Sequence, residues 1–193
     1  GGGISLFVRQ NDLPSMEKKA FILGVIAIAA AGCAKNEINV IHHDRYTIVS
    51  QTRGPELGYN EDSGVRILNI DGFAFKDLDK DGELDIYEDW RRTVTERARD
   101  LASKMPVERI CGLMLYSSAV DAMTAELTPK QTAYLRDDYI RHMLVRNIAD
   151  AATGAEWSNR VQAFCEAEPF GIPSNNSTDP RNYTNGQANT NTY

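Results

Sequence analysis

The 193-residue sequence predicts an α/β fold with an incomplete parallel sheet, preceded by an acidic loop and a processing signal. In the second half of the chain, three short apolar segments are separated by helical patterns, which is typical of βαβ units. The stretch from Asn182 onward has almost no apolar residue to cover a strand. A complete parallel barrel needs ~250 residues, whereas 161 residues run from Cys33 to Tyr193. We therefore expect the sheet to be incomplete.

The composition indicates an ordinary globular protein and excludes several classes. Charged residues make up 25% of the chain and hydrophobic residues 42%, unlike a disordered sequence. The net charge of −6 and the lack of a Lys/Arg cluster argue against a nucleic-acid partner. Cys33, Cys111 and Cys165 are too few and too scattered for a disulfide framework or a zinc site, and the histidines show no metal-ligand spacing.

The amino terminus carries a processing signal. Residues 1–15 precede Met16, and we exclude them as an upstream extension. The basic opening 16–19 is followed by a twelve-residue apolar run, which is too short to cross a bilayer core of ~30 Å but suits a signal peptide over 16–32. The small residues directly before Cys33 resemble a bacterial lipobox, in which the cysteine is lipidated and becomes the mature terminus. The alternatives are a plain signal peptide or a buried helix.

The stretch DLDKDGELDIYE, residues 77–88, is called the acidic loop here and has the ligand spacing of an EF-hand-like calcium loop. Ca²⁺ takes six to eight hard oxygens, which a twelve-residue loop supplies from positions 1, 3, 5, 7, 9 and 12. These positions hold Asp77, Asp79, Asp81, Glu83 (through its carbonyl), Asp85 and Glu88. The sequence therefore predicts one bound Ca²⁺; the alternative is a solvated acidic turn.

The two flanks of the acidic loop differ from those of a calcium sensor. Apolar residues recur at three- and four-residue steps over 87–105, which predicts a helix after the loop. Residues 65–75 are β-branched and interrupted by Asp71-Gly72, which predicts a strand and turn in place of an entering helix. Because a sensor opens a groove between two helices, we expect calcium here to be structural.

The second half of the chain alternates between strand and helix signals. Residues 112–116 and 142–148 are compact apolar runs that predict buried strands. Residues 128–131, Thr-Pro-Lys-Gln, combine an N-cap, a proline at the first helical position and a capping box. Asp150 caps a second predicted helix, and residues 172–178 give the third predicted strand.

Six segments, in order, resemble the amino-terminal part of a family 3 glycoside hydrolase, with most likeness to the β-glucosidase-like lipoproteins of Bacteroidetes type. They are PELGY, DGFAFKDL, YEDW, ERARDLASKM, GLM and GIPSNNSTDPR, which run from Pro55 to Arg181. The resemblance implies that residues 55–193 are the first portion of a (β/α)₈-type, TIM-like barrel. Residues 33–54 are then a linker.

The resemblance also implies an exo-acting, retaining β-glycosidase that removes terminal β-linked sugars. Asp179 matches the acidic residue with which the family holds sugar hydroxyls, and Arg181 belongs to the same motif. A carboxylate suits this role because it accepts charge-assisted hydrogen bonds from neighbouring hydroxyls; the alternative is that Asp179 merely begins a turn. The family's nucleophile and acid/base lie further along than Tyr193, so we expect this chain alone to be inactive.

Two functions from different classes follow. The first is the amino-terminal piece of a glycosidase acting on an oligosaccharide or β-glucoside, held in the periplasm or at the outer membrane by lipid on Cys33. The second is a secreted calcium-binding surface module without enzymatic activity. The sequence that follows Tyr193 in the gene distinguishes them.

Overall fold

A computed structural model describes residues 35–178 of the chain. The predictions for the signal peptide, Cys33, Asp179 and Arg181 lie outside the described residues. Within the described range, no helix combines the length and the apolar character that crossing a bilayer requires.

The first sheet is antiparallel and consists of β1 (Ile38–His42), β2 (Thr47–Gln51) and β3 (Leu57–Tyr59), with β2 in the centre. Thr47 and Val49 alternate with more exposed neighbours along β2, and each is only 1% exposed. This alternation is the pattern of a half-buried strand. Strands β1 and β2 lie in the segment 33–54 that the sequence analysis interprets as a linker.

The second sheet is a hairpin of β4 (Arg66–Ile70) and β5 (Phe73–Asp77). Asp71 and Gly72 join the strands, and both have positive φ, 54° and 79°. Two left-handed residues are what a two-residue type I′ hairpin turn requires, and Asp-Gly is a preferred pair for it. The predicted strand and turn are confirmed, and β5 continues to the first residue of the acidic loop.

Helix α1 (Val94–Lys104) begins later than the start at residue 87 that the periodicity predicts. Thr93 and Glu96 form a capping box: Thr93 Oγ1 accepts the Glu96 N–H at 3.2 Å, and Glu96 Oε2 accepts the Thr93 N–H at 2.9 Å. Tyr87 and Trp90 fit the helical repeat but lie in turns before this cap. The cap satisfies the first free amides of the helix and fixes its start.

The predicted strand at 112–116 is wrong. Gly112 lies in helix α2 (Val107–Leu113). It packs so closely against the backbone of Asp138 that an added Cβ would lie 2.3 Å from the Asp138 carbonyl oxygen. Met114 and Leu115 follow the helix with 80% and 54% of their surface exposed. Only Tyr116 makes a strand-like contact, a single parallel bridge to His142. Helix packing at Gly112 thus replaces the buried strand that the apolar run predicts.

The third sheet is parallel, in the order β6 (Val120–Ala122), β7 (His142–Ile148), β8 (Asn175–Thr178). Helices α3 (Pro129–Arg136) and α4 (Ala151–Ala167) connect the strands, and both begin at the predicted caps. These five elements are called the parallel-sheet unit below. Its buried core consists of Val120, Ala122, Leu135, Ile140, Met143, Val145, Trp157, Val161 and Cys165.

The expected incomplete (β/α)₈, TIM-like barrel is wrong. Within residues 35–178 the strands form three small sheets, two of them antiparallel, and no barrel closes. The parallel sheet has three strands, and there β6 and β8 pair with β7 only. A barrel requires every strand to pair on both sides. The α/β character is therefore limited to the parallel-sheet unit.

Candidate functional site

Strand β5 delivers the first carboxylate of the acidic loop. Asp77 is the last residue of β5 and is 1% exposed. Lys80 and Gly82 then take left-handed backbone conformations, with φ of 68° and 85°, and turn the chain back. The Gly82 N–H donates to Asp77 Oδ2 at 3.2 Å, which closes the loop over this side chain.

The acidic loop brings five carboxylates together. Oxygens of Asp77, Asp79 and Asp81 all lie within 4.8 Å of one another. The same limit holds for oxygens of Asp79, Asp85 and Glu88, so Asp79 belongs to both groups. The structure therefore assembles the five predicted side-chain ligands into one cluster. The side chain of Glu83 is exposed, which agrees with a role for its carbonyl alone.

Glu88 connects the two ends of the acidic loop. Its Oε1 accepts the N–H groups of Leu78 and Asp79 at 2.6 and 3.3 Å, and its Oε2 accepts the Asp85 N–H at 3.0 Å. Burial raises the pKa of Glu88, and these backbone hydrogen bonds oppose the rise. Glu88 is only 4% exposed, and both of its carboxylate oxygens accept hydrogen bonds from the loop backbone.

The donor set fits a calcium ion. Asp77 Oδ1 and Asp79 Oδ1 are buried, and neither has a hydrogen-bond partner among the described residues. Burial, followed by the charges of Asp81 and Asp85, raises the pKa of Asp79. Buried carboxylate oxygens are costly unless they meet a cation or a donor, and an all-oxygen set is the one that Ca²⁺ prefers. An ion held by these residues would cross-link the end of β5 to the turns before α1.

Helix α1 supports the acidic loop from one side. The Tyr87 N–H donates to Asp100 Oδ2 at 3.0 Å, and Arg97 Nε donates to the Tyr87 carbonyl at 2.8 Å. Lys104 Nζ lies 2.6 Å from Asp85 Oδ2, and this bond raises the pKa of the lysine. Lys104 therefore neutralises part of the negative charge of the carboxylate cluster at Asp85, the ninth residue of the acidic loop.

A second group of polar residues lies at the carboxyl edge of the parallel sheet. Asp121 of β6 and Asn147 of β7 are in register, and Asn147 Nδ2 donates to Asp121 Oδ1 at 2.7 Å. Asp150 follows β7 and caps α4 by accepting the Thr153 N–H at 2.9 Å. Ligands of open α/β sheets bind at this edge, because the carboxyl ends of parallel strands meet there.

Sequence reasoning missed Asp121 and Asn147 as candidates at this edge. The first strand was expected at 112–116, so Asp121 had no assigned place in the sheet. The only pattern there is Val-Asp-Ala, a three-residue alternation that is too short to predict a strand. Strand β8 ends at Thr178, which pairs with Val145. Asp179 and Arg181 lie outside the described residues 35–178, so their sugar-binding role stays a prediction.

Comparison with known proteins gives a consistent set of names. No protein-family model matches the chain. The chain is 38% identical over 127 residues to the periplasmic beta-glucosidase/beta-xylosidase of Dickeya chrysanthemi, a match that covers 61% of this chain and 19% of that protein. It is 28% identical over 109 residues to the probable beta-glucosidase C of Aspergillus flavus, covering 53% and 17%. The counterpart from Aspergillus oryzae is 28% identical over 103 residues, covering 50% and 16%.

These matches support a glycoside hydrolase-like relationship for the chain. The chain spans about a fifth of the length of the curated relatives that it matches.

Proposed function

We propose that the chain is the amino-terminal part of an exo-acting, retaining β-glycosidase of the family 3 type. It would contribute to the removal of terminal β-linked sugars from an oligosaccharide or β-glucoside. The observation that carries the proposal is the 38% identity to a protein named as a beta-glucosidase/beta-xylosidase, over 127 residues. A catalytic nucleophile and an acid/base residue are to be sought outside this chain.

The direction of strand β8 supports the sugar-binding part of this proposal. Strand β8 runs parallel to β7, so it ends at Thr178 toward the carboxyl end of the sheet, where Asp121 and Asn147 also lie. A carboxylate there accepts hydrogen bonds from a pair of sugar hydroxyls. Asp179 is the proposed sugar-binding carboxylate, with Arg181 of the same motif beside it in sequence.

The test of the glycosidase proposal uses two proteins. Retaining hydrolysis needs two carboxylates about 5–5.5 Å apart, so the 193-residue chain is expected to leave aryl β-glucosides intact. In a longer protein that contains the chain, Asp179→Ala is expected to lower kcat/KM. The expected loss of transition-state binding free energy is ~1.5–3 kcal/mol for each lost charge-assisted bond. Asp44→Ala, an exposed position, serves as the control. Turnover by the 193-residue chain, or full activity of Asp179→Ala, would contradict the proposal.

We also propose that the acidic loop binds one structural Ca²⁺ through Asp77, Asp79, Asp81, the Glu83 carbonyl, Asp85 and Glu88. The buried, unpartnered oxygens of Asp77 and Asp79 support this proposal. The same loop favours the second candidate function, a secreted calcium-binding module without enzymatic activity. Calcium titration of the chain tests the loop, and the absence of activity in every longer protein that carries the chain would favour the module.

The proposed location is the cell envelope, with Cys33 lipidated as the mature amino terminus. The lipobox-like residues before Cys33 support it, as does the word periplasmic in the name of the Dickeya chrysanthemi relative. Cys33→Ala is expected to move the protein from the membrane fraction to the soluble fraction. An unmodified Cys33 within an intact leader, found by mass spectrometry of the native protein, would contradict lipidation.

A further inference from the structure

Lys80 joins the acidic loop to the end of helix α4. Its ammonium nitrogen lies 3.1 Å from the Leu78 carbonyl oxygen, within the loop. The same nitrogen lies 3.1 and 3.2 Å from the carbonyl oxygens of Glu166 and Glu168. Carbonyls at a helix carboxyl end lack partners within the helix, and a cation there is favourable. One half-buried ammonium thus satisfies the loop and the helix end together.

A second contact continues this connection toward β8. The chain leaves α4 through a single helical turn, Pro169–Gly171, that packs on Leu78 of the loop. A Cβ at Gly171 would lie 3.0–3.2 Å from Leu78 atoms, and Gly171 also has a positive φ of 54°. The next residue, Ile172, accepts a hydrogen bond from buried Arg141 at 3.0 Å. The segment before β8 is therefore held by the acidic loop on one side and by Arg141, the residue before β7, on the other.

The conformation of Lys80 depends on its neighbours in the loop. Its φ of 68° is left-handed, a backbone conformation that is unfavourable for a residue with a Cβ. Lys80 lies between Asp79 and Asp81, two of the clustered carboxylates. An ion that binds both would fix the backbone on each side of Lys80. Without an ion, the clustered carboxylates repel one another and favour opening of the loop.

We infer that Lys80 is a positioning residue that transmits calcium occupancy of the acidic loop to residues 166–171, and through them to the start of β8. The inference rests on the proposed calcium binding and deepens the proposed glycosidase, because residue 179 follows β8. Calcium would then stabilise the segment that presents the proposed sugar-binding carboxylate. The ion acts at a distance from the sugar, through a helix end and a turn.

The inference has a quantitative consequence for hydrogen exchange. Amides that exchange only when the loop opens are slowed by a factor of one plus the ratio of calcium concentration to Kd. At 100 times the Kd this factor is about 100. The Gly171 N–H, which donates to the Glu168 carbonyl at 3.1 Å, is a suitable reporter. The Thr132 N–H of α3 donates to the Thr128 carbonyl at 3.0 Å and not to the loop, so its exchange is expected to change less than about twofold.

The experiment measures Kd by calorimetry and exchange by mass spectrometry, on the full chain with and without calcium. In the native chain, residues 77–88 and 166–171 are both expected to slow about 100-fold at 100 times the Kd. Lys80→Met keeps the aliphatic stem and removes the ammonium. It is expected to keep the slowing at 77–88 and to reduce that at 166–171 below about threefold. Lys130→Met, at an exposed position of α3, removes the same charge and should behave like the native chain.

The outcomes separate the inference from the proposals beneath it. Calcium binding with unchanged exchange at 166–171 in the native chain overturns the inference and leaves the calcium site standing, and this comparison needs no variant. Slowing at 166–171 that survives Lys80→Met shows that Lys80 is not the link. Absence of calcium binding overturns both the site and the inference. None of these results bears on whether a longer protein hydrolyses glucosides.

Discussion

The acidic loop and the parallel-sheet unit are stabilised by opposite means. In the loop, polar groups close together in sequence hold one another: Glu88 accepts three backbone amides of residues 78–85, and Asp77 accepts that of Gly82. In the parallel-sheet unit, apolar side chains far apart in sequence share one core, with Met143 and Val161 fully buried. The loop is therefore held by hydrogen bonds between residues close in sequence, whereas the parallel-sheet unit is held by the packing of apolar side chains.

The difference determines what each region responds to. The clustered carboxylates repel one another, so the proposed Ca²⁺ is expected to stabilise the loop. The core of the parallel-sheet unit has no such dependence, and it responds to the loss of packed atoms. Calcium and cavity-forming substitutions are therefore expected to act on different regions of one chain.

The largest expected effect comes from one substitution made at two sites. Met143 in β7 is fully buried, whereas Met114 after α2 is 80% exposed. Met143→Ala removes packed atoms and leaves a cavity, so we expect a loss of ~2–5 kcal/mol in the free energy of unfolding. Met114→Ala is expected to change it by less than about 0.5 kcal/mol. Urea unfolding followed by the fluorescence of buried Trp157 measures both.

This pair also tests the corrected assignment of residues 112–116. A buried strand there would make the Met114 substitution nearly as costly as that of Met143. Equal losses at the two sites would contradict the exposed turn that follows α2.

What the sequence predicts correctly is mostly local. The caps at Thr128 and Asp150, the Asp71-Gly72 turn and the clustering of the loop carboxylates each depend on residues a few positions apart. Strand β7 was found as well, because its apolar run is long. These features are set by backbone hydrogen bonds within a short stretch of chain.

What the sequence does not predict depends on tertiary contacts. The run at 112–116 is apolar, but Gly112 fits against the backbone of Asp138, a neighbour that no periodicity reveals. Strand β6 has three residues, too few for an alternation to be recognised. Asp121 is not recognisable as a candidate for the same reason, and the barrel that the resemblance implies is not borne out by the three separate sheets.

An effect of intermediate size is expected in the acidic loop. Glu88→Gln keeps the shape of the side chain but removes its charge, at the one position that is proposed to supply two oxygens to Ca²⁺. We expect the Kd for calcium, measured by calorimetry, to rise on the order of 100-fold. Glu83→Gln is the matched control, because the Glu83 side chain is exposed and only its carbonyl is a proposed ligand.

The comparison between regions sharpens if calcium is added to the core variant. The native chain and Met143→Ala are expected to bind calcium with equal Kd, since the acidic loop does not contribute to the core of the parallel-sheet unit. Equal affinities of Glu88→Gln and Glu83→Gln would instead show that the Glu88 side chain does not bind the ion.

The smallest expected effect concerns the start of α1, and its sign decides between two starts. Thr93 caps the helix through the Glu96 N–H, and none of the residues of α1 is fully buried. Local capping is therefore a large share of what holds this helix in place.

If the helix begins at Val94, Thr93→Ala removes the cap and lowers the free energy of unfolding by ~1 kcal/mol. If it began at residue 87, position 93 would be a helix interior, where Ala is favoured over Thr by up to about 0.7 kcal/mol. Thr95→Ala, at an exposed site inside α1, is the control and is expected to raise stability by at most about 0.7 kcal/mol. Stabilisation by Thr93→Ala would mean that the turns at 86–92 belong to a longer helix, and that the acidic loop runs directly into it.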